Sequence, residues 1–200
     1  KTKIFFSLSM RTEVNLCIKP PVQELGMNGP MEALNTIRSY AGSRQTVGID
    51  DALLMKHLAI DSTLAQAIED AGRIHTRLKT QFAELLAGDE AEAAAILQED
   101  FVNFYPANTV NPYISMAGCG PWIVTTHGAV LHDNGGYGML GMGHSPKVIM
   151  EAMGDTHVMA NVMTPNFTHK RFSMLLKAEV GQTRGSCPFE KFICMNSGSE

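Results

Sequence analysis

The 200-residue chain is 44% hydrophobic and 18% charged, which is typical of a globular protein and argues against a disordered chain. It holds no apolar run of about eighteen residues, which excludes a membrane-spanning helix. Its net charge of −4 gives no reason to expect nucleic acid or an anionic membrane as a partner. The four cysteines form no Cys-x-x-Cys pair, which argues against a zinc ribbon, and their scattered positions suit a cytoplasmic location.

Residues 1–30 show no clear hydrophobic period and are predicted to be a flexible leader, punctuated by Pro20-Pro21. Two lysines precede a short apolar run, as in a weak signal peptide, but no clean small-x-small cleavage site follows. Because the chain begins at Lys1 and stops at Glu200, directly after a turn, we expect it to be a piece of a longer reading frame.

Residues 31–105 are predicted to form a helical N-terminal extension. One apolar stripe recurs within it at heptad spacing, and its members are Leu64, Ile68, Ala71, His75, Leu78, Phe82 and Leu85. The stripe fits either a helix packed on its own domain or a helical dimerisation module. In either case we expect His75 to lie in a core or an interface and not to bind a metal.

The ends of these helices carry capping residues. Asp61 is predicted to be the N-cap of the long helix, and Gly88 is predicted to end it. Asp89, with Glu92 three positions later, outlines a capping box that opens a short alanine-rich helix through Leu97.

Residues 106–165 are predicted to form a small α+β segment. Two β-rich runs, 122–126 and 129–133, predict a hairpin around a His-Gly turn. A glycine-dense stretch, 135–143, follows, and Pro146 then stands where a helix can begin.

Residues 166–200 are predicted to open a larger domain. The spacing of apolar residues predicts a helix from Asn166 to Gly181. A short strand is predicted over residues 191–195, and residues 196–200 form the turn that leaves it.

This last turn has the composition of an anion site. Gly198 lets the backbone approach a ligand closely, and Ser197 and Ser199 add hydroxyl donors. A helix that followed would point unpaired amides and the positive end of its dipole at the anion. Turns rich in serine and glycine are common, so the motif alone leaves an ordinary turn and a phosphate site both open.

The order of motifs over residues 117–200 resembles the class III aminotransferases, which are pyridoxal-phosphate (PLP) enzymes. That family has an early hairpin of the form aromatic-x-x-Asp-x-x-Gly-x-x-x-x-Asp. Trp122, Thr125, Gly128 and Asp133 fall in this frame, with a threonine at the first aspartate position. The later motifs of the family follow in the same order.

The family's glycine-rich turn, Gly-His-x-His-Pro-like segment and helix correspond to residues 140–153. Its next helix corresponds to residues 167–180, and its strand followed by Asn-Ser-Gly-Ser-Glu corresponds to residues 192–200. Each motif is modest, whereas their order and spacing together make a fairly specific match.

The resemblance implies an α/β fold of PLP-dependent transferase fold type I (aspartate aminotransferase-like), with only its N-terminal part present after the helical extension. It implies a homodimeric, cytoplasmic enzyme that transfers an amino group between an amine or amino acid and a keto acid or aldehyde. A PLP-dependent aminomutase of the same family is the alternative. The Schiff-base lysine belongs to the family's later half, so this chain is expected to hold no catalytic residue and to be inert alone.

The resemblance also implies which residues contact ligands. Two glycine-containing turns supply them, one for the PLP phosphate and one for the substrate pocket. They are Ser197, Gly198 and Ser199, and Gly136, Tyr137 and Gly138, respectively.

A dinucleotide site is a rival interpretation, because Gly136-Tyr-Gly-Met-Leu-Gly141 reads as Gly-x-Gly-x-x-Gly after a predicted strand. A dinucleotide-binding fold needs a helix that opens within the motif and an acidic residue about twenty positions on. Pro146 delays the helix, and Asp155 comes too early, so the sequence disfavours this interpretation.

A metal site is a second rival, formed by His127, His132, Asp133 and His144. Residues five apart on one strand face opposite sides, so the first two imidazoles cannot chelate one ion. We predict instead that these are surface and turn histidines.

Overall fold

The computed structural model describes residues 29–100, 113–134, 141–156 and 164–194. They divide between two compact units, Lys1–Met153 and Gly154–Glu200. The described residues form these elements: α1 (Pro30–Tyr40), α2 (Asp51–Leu58), α3 (Ser62–Ala87), α4 (Glu90–Gln98), β1 (Ser115–Cys119), β2 (Trp122–Thr125), β3 (Val130–His132), α5 (Lys147–Gly154) and α6 (Phe167–Gly181). None of the helices described is both long and apolar enough to cross a membrane.

The first unit has one core that helices and sheet share. Its buried side chains come from α1, α2, α3 and the hairpin strands: Ala33, Leu34, Ile37, Leu54, Leu64, Ala67, Ile68, Ala71, Trp122, Val124 and Val130. A small sheet needs a packed helix for stability, and α3 covers β1 and β2. The boundary predicted between residues 105 and 106 therefore does not separate two cores.

The sheet is a three-stranded antiparallel meander in the order β1-β2-β3. The predicted hairpin is confirmed, because Trp122 pairs with His132 and Val124 pairs with Val130. Gly128 lies in its turn at φ +70°, a left-handed conformation that glycine adopts without strain. The guanidinium Nε of Arg38 donates to the carbonyl of Gly128 at 2.9 Å, which joins the turn to α1.

The long helix follows its predicted stripe over only part of its length. The buried residues of its first half include Leu64, Ile68, Ala71 and His75, as predicted. At Phe82 the backbone leaves helical geometry, with φ −132° and ψ 39°, and this side chain is exposed. The second half of the stripe therefore does not continue into the core of its own chain.

Asp61, Gly88 and Asp89 lie at the helix ends where they were predicted, whereas the predicted capping hydrogen bond of Asp89 was wrong. Asp61 is the N-cap of α3 and accepts a hydrogen bond from the amide of Thr63, and Gly88 is the C-cap that directly follows α3. Asp89 does precede α4, but its carboxylate makes no cap bond. It accepts instead from the backbone amide of Ser43 at 2.8 Å, so the predicted capping box is absent there.

The second unit contains α6. Its N-cap is Asn166, whose side chain accepts from the amide of His169 at 2.8 Å, and its bounds agree with the helix predicted from Asn166 to Gly181. The predicted strand over 191–195 was wrong for residues 191–194, which pair with no strand in the described part of the chain, and Met195 lies outside the described residues. A β-strand requires hydrogen bonds to a neighbouring strand, and a hydrophobic segment alone does not provide that neighbour.

Candidate functional site

The ligand-contacting residues expected from the resemblance all lie outside the described residues. This applies both to the turn with Ser197, Gly198 and Ser199 and to the turn with Gly136, Tyr137 and Gly138. The structure does describe the residues on both sides of the second turn. The candidate site is therefore built from the anchor points of that glycine-rich segment.

Both ends of the segment between Asp133 and His144 are hydrogen-bonded to one turn, Gly120-Pro121. The amide of Asp133 donates to the carbonyl of Pro121 at 2.7 Å. His144 and Gly120 exchange two backbone hydrogen bonds, at 2.7 and 3.0 Å, and so form an isolated antiparallel bridge. Asp133 and His144, which the structure describes on either side of the glycine-rich segment, are thus both fixed at the turn between β1 and β2.

The same two residues also meet through their side chains. His144 Nε2 lies 3.1 Å from Asp133 Oδ2, so that a proton on this nitrogen is donated to the carboxylate. Both side chains are about a fifth exposed, at 23% and 22%, so water screens their attraction only in part. We call this arrangement, Asp133 and His144 on the Gly120-Pro121 turn, the clamp.

The clamp requires glycine at positions 118 and 143, because a side chain at either position would approach the neighbouring atoms too closely. A Cβ on Gly118 would lie 3.0 Å from Cβ and Cγ of His144 and 2.9 Å from the carbonyl oxygen of Trp122. A Cβ on Gly143 would lie 2.7 Å from the carbonyl oxygen of Gly120, and Gly143 has φ +75°. Ser145 adopts φ +48°, which costs a non-glycine residue conformational energy. The clamp is therefore sterically tight, and the strained residue Ser145 directly follows it.

A cavity of about 400 Å³ adjoins the clamp. Asp133 and His144 line one part of it, and the other polar residues in its lining are Asp70, Tyr113, Ser115 and Ser145. The carboxylate of Asp70 is already hydrogen-bonded to Gln66 at 2.8 Å and paired with Arg73. The residue types present are donors and acceptors for a small polar ligand, and they are no strong nucleophiles.

Trp122 anchors the hairpin through contacts with two histidine rings and one carboxylate. Its indole contacts the ring of His57 at a tilted angle and the ring of His132 edge-on, at centroid distances of 5.3 and 4.8 Å. Its Nε1 donates to Oδ2 of Asp61 at 2.7 Å. The pKa of Asp61 is lowered, first by the hydrogen bond from the hydroxyl of Thr63 and then by the one from Trp122, so this anchor is ionised at neutral pH.

The histidines of the hairpin do not form a metal site. His127 is buried, so the prediction of a surface position was wrong for it, although it does lie in the turn. Its Nε2 lies 2.9 Å from the carbonyl of Gly88 and its Nδ1 lies 3.0 Å from the hydroxyl of Thr126, so both nitrogens are engaged. Within the ranges that the structure describes, no three potential ligands come together.

Sequence reasoning missed a buried carboxylate. Glu90 is 3% exposed and accepts hydrogen bonds from the amides of Gln45 and Thr46, each at 2.7 Å, and from the hydroxyl of Thr46 at 2.8 Å. From sequence alone, a glutamate in the first turn of a helix is normally interpreted as a solvent-exposed residue that interacts with the positive end of the helix dipole. No sequence signal marks its partners, which lie on a loop more than forty residues earlier.

No family model, curated protein or solved structure matches this chain. The motif order in the sequence and the geometry of the clamp are therefore the features of this chain that bear on its function. The start of α5 at Lys147, beyond Gly141, weighs against the dinucleotide alternative, because that fold needs a helix that opens within its glycine motif.

Proposed function

We propose that this chain is the N-terminal portion of a cytoplasmic, homodimeric PLP-dependent aminotransferase of class III, with the fold type I architecture. Its substrates would be an amine or amino acid and a keto acid or aldehyde. Ser197, Gly198 and Ser199 would bind the phosphate of PLP. The support is the order of motifs, from the hairpin to the Asn-Ser-Gly-Ser-Glu turn.

The clamp is the structural observation that favours this proposal. A loop that contacts substrate needs rigid supports on both sides, because misplacement of a positioned group is costly. The segment with Gly136, Tyr137 and Gly138 lies between Asp133 and His144, both fixed to the same turn. A substrate-pocket role for this segment is consistent with such anchoring.

The residue types indicate what PLP would supply to the reaction and what this chain would supply. Bound PLP supplies the electron sink for amino-group chemistry. This chain would contribute a phosphate site through the amides and hydroxyls of its terminal turn, and one wall of the substrate pocket. The motifs in which it resembles the family are those that precede the Schiff-base lysine, so we propose that it binds and orients without turnover.

Calorimetry with pyridoxine 5′-phosphate tests the phosphate site, because this compound lacks the aldehyde and cannot react with lysines. We expect the 200-residue chain to bind it and not to bind unphosphorylated pyridoxine. Loss of one charge-assisted hydrogen bond in Ser199→Ala should cost about 1.5–3 kcal/mol, roughly tenfold or more in affinity. Ser186→Ala, at an exposed serine of the same unit, is the matched control.

Equal affinity for the two compounds, or unchanged affinity in Ser199→Ala, would contradict the phosphate site. Incubation with PLP itself tests the second half of the proposal. An aldimine absorbance band that maps to one specific lysine of this chain would show that it is not inert. Measurable binding of NADH without binding of the PLP analogue would favour the dinucleotide alternative.

The aminomutase alternative predicts the same binding results and differs in the fate of the amino group. In the whole enzyme, an aminotransferase moves isotope-labelled nitrogen from a donor to a separate keto acid. An aminomutase leaves it within a single substrate.

A further inference from the structure

A cavity of about 560 Å³ lies in the first unit, where α1, the loop over residues 41–50, the start of α2 and the hairpin turn meet. Its charged lining has both signs, with Arg38 and Arg44 as the cations and Asp50 and Asp51 as the acids. None of its described lining residues was assigned to PLP or to substrate. A ligand bound here would therefore occupy a second site.

Two guanidinium groups converge on one carbonyl oxygen beside this cavity. The oxygen of Gly128 accepts from Arg38 Nε at 2.9 Å and from Arg44 Nη1 at 3.3 Å. Arg38 Nη1 also lies 2.9 Å from both carboxylate oxygens of Asp51, so this cation is paired. Arg44 has no ion pair, and its Nε and Nη2 make no hydrogen bond with any residue that the structure describes. These two nitrogens form the edge of a guanidinium that binds a carboxylate through two parallel hydrogen bonds.

Asp50 contributes a carboxylate oxygen without a partner to the same cavity. Its Oδ1 accepts from the amide of Leu53 at 3.0 Å, which caps α2. Its Oδ2 makes no hydrogen bond within the described part of the chain, and Asp50 forms no ion pair with Arg44. An anion alone would be repelled by both aspartates, and a cation alone by both arginines. A molecule that carries both charges would satisfy both free groups.

The loop that carries Arg44 is held by hydrogen bonds at both ends and in its middle. The amides of Gly42 and Ile49 donate to the carbonyl that follows α3 and to a carbonyl of β3, at 3.2 and 2.8 Å respectively. The buried carboxylate of Glu90 accepts from two further amides of this loop, each at 2.7 Å. A charged group on a fixed backbone loses less conformational freedom when it binds a ligand. The backbone of the site is thus formed before a ligand arrives.

We propose that this cavity binds a small zwitterion, a molecule with one carboxylate and one ammonium group, such as a free amino acid. The carboxylate accepts two hydrogen bonds from Nε and Nη2 of Arg44, and the ammonium donates to Oδ2 of Asp50. Arg38 and Asp51 stay paired with each other. The site needs neither PLP nor its phosphate turn, so this proposal and the proposed function fail independently.

NMR titration of the 200-residue chain tests the site with zwitterions of increasing charge separation, namely glycine, β-alanine and 6-aminohexanoate. Propionate and propylamine each carry one of the two charges. We expect at least one zwitterion to shift the Nε–Hε resonance of Arg44 and to bind roughly three- to fivefold more tightly than either single-charge probe. The proposal is overturned if no zwitterion shifts that resonance, or if propionate binds as tightly as the best of them.

Two variants separate the contributions of the two charged groups. Arg44→Gln removes the bidentate edge and should weaken the best zwitterion about tenfold. Asp50→Asn keeps a good N-cap for α2 and should reduce the affinity for the zwitterion to that for propionate. Arg77→Gln is the matched control, at an exposed arginine of α3 outside the cavity lining, and should change neither affinity. Wild-type affinity for the zwitterion in Arg44→Gln or in Asp50→Asn would reject the proposed contacts.

Inorganic phosphate distinguishes a zwitterion site from a site for anions in general. Because two aspartates line the cavity, we expect phosphate to bind more weakly than the best zwitterion. Phosphate that binds more tightly than every zwitterion, and loses this affinity in Arg44→Gln, would overturn the proposal in favour of an anion site.

Arg44→Lys provides a second variant in case Arg44→Gln does not fold, as judged by circular dichroism. It keeps the positive charge and a donor for the carbonyl of Gly128, but it lacks the planar edge that binds a carboxylate bidentately. It should therefore bind the best zwitterion more weakly than the wild type does, and equal affinity would exclude the bidentate contact.

Discussion

One carboxylate, that of Asp61, connects the N-terminus of α3 to the indole of Trp122 in the sheet. Its Oδ2 accepts from the indole Nε1 at 2.7 Å, and its Oδ1 accepts from the amide and hydroxyl of Thr63 at 2.9 and 2.6 Å. A single side chain thus caps a helix and satisfies the donor of a buried aromatic ring. Its removal should leave both groups without their partner.

Asp61→Ala is expected to destabilise the protein by about 2–4 kcal/mol, because a lost N-cap costs about 1 and an unsatisfied buried donor about 1–3. Urea unfolding followed by the fluorescence of Trp122, the single tryptophan, measures this. Asp50→Ala is the control, since Asp50 caps α2 through the amide of Leu53. Equal losses in the two variants would refute the link to the sheet.

Glu90 is expected to make the fold sensitive to acid. Burial opposes its ionisation, but hydrogen bonds from the amide and hydroxyl of Thr46 and the amide of Gln45 outweigh burial and lower its pKa. Because the folded pKa lies below the unfolded value of 4.5, this stabilisation is present above pH 4.5 and is lost as the pH falls through the folded pKa.

Glu90→Gln should therefore reduce the free energy of unfolding at pH 7 by about 2–3 kcal/mol and flatten the acid limb of the stability profile. Glu92→Gln, on the exposed side of the same helix, should change neither. Denaturant titrations from pH 7 to pH 3 provide both readings. An unchanged acid limb in Glu90→Gln would show that the buried carboxylate is not responsible.

His75 should weaken the fold at mildly acidic pH. Its ring is 3% exposed, its Nε2 has no hydrogen-bond partner, and burial followed by the charge of Lys79 lowers its pKa. Tyr40 meets it edge-on at a centroid distance of 5.3 Å. Since the folded pKa lies below the unfolded 6.5, stability is full above pH 6.5 and falls as the pH drops through the folded pKa.

His75→Phe keeps a ring against Tyr40 and removes the titration. It should be neutral or stabilising by about 1 kcal/mol at pH 7, because an apolar group replaces an unsatisfied polar one. Its advantage over wild type should widen between pH 6.5 and pH 5. Parallel pH profiles for the two proteins would exclude His75 as the acid-sensitive group.

Local patterns in the sequence predicted the local elements well. The hairpin, the N-cap Asp61 and the helix end at Gly88 depend on neighbours within a few residues, so the sequence carries their signal. Residues 191–194 failed as a strand because strand formation depends on a pairing partner elsewhere in the chain.

The candidate site was predictable only in outline. The glycine-rich segment was recognised, but its anchoring was not, because the contact of Asp133 with His144 and the bonds to Gly120-Pro121 depend on tertiary approach. The same limit applies to Glu90, whose partners are distant in sequence. The second half of the α3 stripe was expected to be either core or interface, and its pattern could not show where the backbone would turn at Phe82.

The clamp provides the last prediction. Gly118→Ala places a Cβ 3.0 Å from the side chain of His144 and 2.9 Å from a backbone oxygen, so His144 must move off β1. We expect a loss of about 1–3 kcal/mol in the free energy of unfolding. Hydrogen exchange by NMR should show faster exchange at the amides of Gly120 and His144, which form the bridge.

Gly141→Ala is the matched control, because a Cβ there meets nothing within 4 Å. It should leave the exchange rates of both bridge amides unchanged. If Gly118→Ala also leaves them unchanged while lowering stability, the strain is absorbed within the sheet. In that case β1 does not hold His144 in place, and the clamp no longer supports a positioning role for the glycine-rich segment.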